Sequence, residues 1–219
     1  MHVTVLIEST PTKAFASAAE WPGWSRGGKT PETALQALLA AASRYALVAR
    51  EAGIEFAPVV PGDIEVVDRV PGDASTAFGV PHAIFDTDRR AVATAEAVRL
   101  AALVAASWRI FDRVVAAAPT ELRKGPRGGG RDRDKIVGHV IEADGGYERE
   151  IGLRLPVPSA DDHAAVATFR EAMLEVFRQP SDGSPLAGRK WTTRYAARRI
   201  AWHALDHAWE IEDRTEPAP

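Results

Sequence analysis

The C-terminal run Arg198-Arg199-Ile200-Ala201-Trp202-His203-Ala204-Leu205-Asp206-His207-Ala208-Trp209-Glu210 holds two of the chain's six histidines, four residues apart. No Gly or Pro interrupts the sequence from Lys190 to Glu216, so one long helix is predicted there. Spacing of i, i+4 puts both imidazoles on one face, one turn apart, as a nitrogen pair suited to a divalent metal. A pair is not a site. The third candidate ligand is His139, on the apolar stripe Ile136, His139, Val140, Ala143, Tyr147 of a helix predicted from about Arg131. His203 and His207 share their face with Ile200 and Ile211, so all three histidines are expected to point inward. Three histidines leave a fourth position to water or substrate, the open arrangement of catalytic zinc sites; the bland alternative is core imidazoles bonded to backbone.

Carboxylates lie close by in sequence. Glu142 is one turn from His139, and Asp206 and Glu210 flank the pair. Each could orient an imidazole or act as a base, and each could equally be a solvated helix residue; Glu142 is the candidate catalytic group. A basic loop precedes the His139 helix: Arg123, Lys124, Arg127, Arg131, Arg133 and Lys135 stand against Asp132 and Asp134. At a helix N-terminus this could gate a carboxylate- or phosphate-bearing substrate, with Arg131 and Arg133 as the binding residues; a solvated loop is the plainer reading.

One motif misleads. Gly23-Trp24-Ser25-Arg26-Gly27-Gly28-Lys29-Thr30 matches the phosphate-loop pattern letter for letter. That loop needs a buried apolar strand before it and free N–H groups at the helix start. Here Glu20-Trp21-Pro22 precedes it and Pro31 removes a donor, so nucleotide binding is not expected.

Composition narrows the classes. The 219 residues suffice for one large or two small domains, and a net charge of −3 gives no global pull toward nucleic acid or membrane. Cysteine is absent, which excludes disulfides, thiolate metal sites and a cysteine nucleophile. The N-terminus lacks signal-peptide features, and no apolar run is long enough for a membrane span, so a cytoplasmic location is expected.

The positioning elements follow in chain order. Val3 to Ile7 and Lys13 to Ala18 are expected strands, with a turn at Trp21-Pro22-Gly23-Trp24. Thr30 as N-cap and Pro31 at N1 open a helix that runs to about Ala52, before Gly53. Ile54 to Val60 and Ile64 to Val67 read as two further strands. A connector without periodicity follows, and after it four amphipathic helices, the second and fourth carrying the histidines. Trp202, Leu205 and Trp209 lie opposite the histidines, so that face is expected to pack on the N-terminal part or a second subunit.

Two resemblances add to this. Val3 to Glu8, Glu20-Trp21-Pro22-Gly23-Trp24 and Gly28-Lys29-Thr30-Pro31-Glu32-Thr33-Ala34-Leu35 resemble the HicB-type small α/β domain, with Trp24 where a small residue is usual. HicB domains occur in antitoxins and as accessory modules, so this implies a fold more than a function. Gly128 to Val140, ending in Gly138-His139-Val140, and Arg194 to His207 resemble the DinB superfamily, with a histidine on the second helix and H-x-x-x-H on the fourth. The chain departs from that pattern at Arg131 and after His207, where Ala208-Trp209-Glu210-Ile211 stands. The resemblance implies zinc or nickel at His139, His203 and His207. It also implies relatives that use low-molecular-weight thiols such as mycothiol or bacillithiol, and others that are hydrolases.

The expected architecture is therefore α+β: a small HicB-like α/β domain over residues 1–70, a connector over 71–87, and a DinB-like up-and-down four-helix bundle over 88–219. The expected function is a metal-dependent transferase, isomerase or hydrolase on a small anionic substrate, in a chain that could form a homodimer. The alternative is a non-catalytic regulatory or interaction protein that contacts a partner through its N-terminal domain.

Overall fold

A computed structural model describes residues 2–124 and 129–215. Its architecture is mixed α+β, with a four-stranded sheet in the order β3-β2-β1-β4. The strands are β1 (Val3–Ser9), β2 (Ala14–Ala18), β3 (Ser25–Gly28) and β4 (Ile64–Pro71). β1 runs antiparallel to β2 and parallel to β4, and β2 runs antiparallel to β3.

Strand β3 is the segment that imitates a phosphate loop. Its backbone is spent on sheet pairing, Ala14 opposite Gly28 and Ser17 opposite Ser25. A Cβ on Gly28 would lie 2.4 Å from the backbone nitrogen of Ala34, so the glycine is there to let the following helix approach. No phosphate cradle forms.

That helix, α1 (Pro31–Ala40), begins as its sequence predicts: the Thr30 hydroxyl accepts from the Thr33 N–H, with Pro31 at the first position. The predicted single helix to Ala52 is instead two, with α2 (Ala42–Glu51) following a bend at Ala41, where ψ is −3°. The predicted strand Ile54 to Val60 does not form. Its residues alternate in burial, but Pro58 and Pro61 offer no N–H to a ladder. The segment delivers Phe56 to an aromatic cluster instead, 4.9 Å from Trp21 and 5.4 Å from Trp24 between ring centroids.

The connector is not structureless. It carries the short helix α3 (Ala74–Phe78), whose N-cap is Asp73, and a 3-10 turn at Asp86–Arg89. The buried carboxylate of Glu8 at the end of β1 pins it, accepting from the Thr76 hydroxyl at 2.8 Å and from the backbone N–H groups of His82 and Ala83 at 2.9 and 2.7 Å.

Four long helices complete the chain: α4 (Thr94–Ala117), α5 (Arg133–Glu150), α6 (His163–Phe177) and α7 (Thr193–Thr215). α7 packs along α4 and against α5, and α6 packs on α4. One continuous apolar core joins the sheet and all four helices, from Val3 through Trp24 and Phe111 to Ile211.

The tryptophan face of α7 meets the sheet. Trp202, Leu205 and Trp209 are buried, and the Trp202 ring lies edge-on to Phe15 of β2 at 6.0 Å. Gly23, at φ 91°, passes so close that a Cβ there would sit 2.6 Å from Leu205 Cδ1. Each large apolar side chain buried here contributes about 1.5–3 kcal/mol. Among the described residues no helix is long and apolar enough to cross a membrane.

Candidate metal centre

His139 on α5 and His203 and His207 on α7 converge. One ring nitrogen from each lies within 4.8 Å of the other two. Nε2 of His203 and Nε2 of His139 are 3.3 Å apart. Two nitrogens bound to one tetrahedral ion at about 2.0–2.1 Å stand about 3.3 Å from each other, so this pair already has ligand spacing. The three rings meet edge to face, with centroids 4.7–5.1 Å apart.

The electrostatics favour the ligand form. Burial, then the charges of His207 and Arg199, hold the His203 imidazole well below its usual range. Burial, then His207 and Arg131, lower that of His139. Neutral imidazoles are what a metal requires. Nδ1 of His203 is buried without a hydrogen-bond partner.

His207 is oriented from behind. Its Nδ1 donates to Glu210 Oε2 at 2.8 Å, which leaves Nε2 for the centre. Glu210 Oε1 accepts from Arg214 Nη1 at 2.8 Å. The hydrogen bond from His207 keeps the Glu210 carboxyl below its usual range, hence ionised. A carboxylate–histidine–metal relay has this form. Glu142 is exposed and has no hydrogen bond to the triad among the described residues, although its charge acts on His139. Asp206 pairs with Arg26 at 3.2 Å on the sheet side.

The two arginines expected to hold substrate part company. Arg131 is exposed, and its charge reaches both His139 and His203. Arg133 donates to the Ala118 carbonyl and to Asp134, each at 2.8 Å, and lines a cavity of about 790 Å³ between α4, α5 and α6. Arg127 of the basic loop lies outside the described residues. Elsewhere on α5, Asp144 is buried beside Arg170, whose Nε is 3.7 Å from it. Burial pushes the Asp144 carboxyl up to about 7.

Sequence spacing contained one residue that charge type concealed. Arg199 stands one turn before His203, in the same i, i+4 row as His203 and His207. Its guanidinium lies over the rings of Tyr147 at 5.0 Å and Trp202 at 4.8 Å. Tyr147 in turn lies 5.6 Å from the His203 ring and 5.3 Å from Trp191.

The donor set of three imidazoles, one backed by a carboxylate, suits a first-row divalent ion such as zinc or nickel. No family model, no curated protein and no solved structure matches the chain.

Proposed function

We propose that the chain is a DinB-like metal-dependent enzyme carrying an N-terminal HicB-like unit, working in the cytoplasm on a small anionic substrate. The reaction class is a thiol-dependent transfer or isomerisation, or a hydrolysis. The observation that carries this reading is the convergence of His139, His203 and His207 from two helices, with their nitrogens at ligand spacing. The order of elements supports it too, with one histidine on the second long helix and the pair on the fourth.

A divalent ion held there supplies Lewis acidity and makes a water or thiol a better nucleophile near neutral pH. Glu210 fixes the tautomer and orientation of His207, and Arg214 fixes Glu210. Three protein ligands leave a coordination position for substrate or a low-molecular-weight thiol of the mycothiol or bacillithiol kind. Arg131, at the N-terminal end of α5, draws an anion toward the triad.

The test is metal content and turnover in protein purified without an affinity tag. About one divalent ion per chain, lost in His203→Ala, with thiol-dependent turnover that chelation abolishes, is the expected result. Protein that retains no metal, and turnover unaffected by chelation, would contradict the reading.

A further inference from the structure

Arg199 is a charge without an acceptor. Among the described residues it makes no ion pair and no hydrogen bond, and its Nη1 is buried with no partner. A guanidinium has five donors and binds carboxylate through two parallel N–H bonds along its edge. Tyr147 and Trp202 hold the guanidinium through its cation–π contacts, and its Nε and Nη2 are neither paired nor sealed from solvent. The group is thus held in place by rings while its hydrogen-bonding edge stays unused. The adjacent Arg198 shows the other outcome: its edge is filled by Asp88 at 2.9 and 2.6 Å. Leaving a partly desolvated cation unpaired is costly, and a ligand anion relieves that cost.

Position gives the site its direction. Arg199 is one helical turn, roughly 6 Å along the axis, from His203. Tyr147 bridges the two, touching the His203 ring on one side and the Arg199 guanidinium on the other, and Trp191 extends the aromatic wall. We propose that Arg199, Tyr147 and Trp191 form the carboxylate subsite of the triad, for a substrate with a flat apolar body. The carboxylate pairs with Arg199, the body lies along Tyr147 and Trp191, and the reacting atom faces the three histidines. This deepens the proposed function and rests on it for the reaction, though not for binding of the anion.

Benzoate and its neutral counterpart benzamide are the probes, titrated by calorimetry into full-length protein stripped with chelator. Benzoate should bind at least about tenfold more tightly than benzamide, and Arg199→Gln should erase that preference. Equal binding of the two probes to the wild-type protein would overturn the proposal without any variant. So would a preference that survives in Arg199→Gln, or one that disappears in Arg131→Gln instead. Metal uptake, measured on the same samples, separates the two readings. A chain that takes up metal but does not prefer benzoate loses only this subsite. One that prefers benzoate but takes up no metal loses only the metal chemistry.

Discussion

Two neighbouring arginines on α7 face different parts of the molecule. Arg198 turns to the connector, where it is buried, bonded through two nitrogens to Asp88, and further tied to the Ala83 carbonyl. Tyr195 donates to the His82 carbonyl on the same side, and Trp202 and Trp209 fill the space against the sheet. Arg199 turns to the triad and pairs with nothing among the described residues. One face of the helix has its charged group matched and serves folding. The other holds an unpaired cation and an orphaned imidazole nitrogen, the pattern expected where ligands complete the structure.

The largest expected effect falls on the matched face. Asp88→Ala leaves Arg198 buried and uncompensated and should cost about 3–5 kcal/mol in urea unfolding. Arg199→Gln should cost less than about 1 kcal/mol, because no ion pair or hydrogen bond is lost and only the cation–π contacts go. Equal costs for the two would erase the contrast.

Asp144 sharpens it from α5. Its folded pKa of about 7 lies above the unfolded value of roughly 3.9. Between those values the folded chain holds a proton that the unfolded chain has released. Asp144 therefore lowers stability as pH rises through that window, and the loss is complete above about pH 7. The steepest slope is about 1.4 kcal/mol per pH unit. Unfolding midpoints from pH 4.5 to 8 should show Asp144→Asn gaining on the wild type through the window and then levelling. Parallel curves would contradict the assignment.

The smallest change in folding should come from the triad's support. Glu210 is 33% exposed, so Glu210→Gln should alter stability by no more than about 0.5 kcal/mol. Metal affinity should nonetheless fall about 10–100-fold, because His207 loses its carboxylate. Unchanged affinity in a metal titration would remove Glu210 from the centre.

Much of the centre was legible in the sequence because helical period converts directly into shared faces. His203 and His207 lie in one row, and His139 sits on an apolar stripe, so their inward orientation followed from spacing. The tryptophan face was legible for the same reason, and it packs on the sheet as two large rings opposite a polar row require. Glu210, at i+3 from His207, was legible on the same spacing as a carboxylate able to orient an imidazole, and it does so. Arg199, at i−4 from His203, is equally well spaced, but its charge type hid it, since most charged residues on a helix are solvated.

The sheet was harder to read. β3 is Ser-Arg-Gly-Gly and lacks the β-branched residues that mark strands, whereas Ile54 to Val60 has them and finds no pairing partner. The Asp88–Arg198 pair joins residues 110 apart and no local pattern announces it.

The central claim is that the three imidazoles share one ion. X-ray absorption on metal-loaded protein tests it most directly. The account predicts three imidazole nitrogens at about 2.0–2.1 Å from zinc or a similar ion, falling to two in His203→Ala. An ion bound without imidazole scattering, or no stoichiometric binding at all, would contradict it.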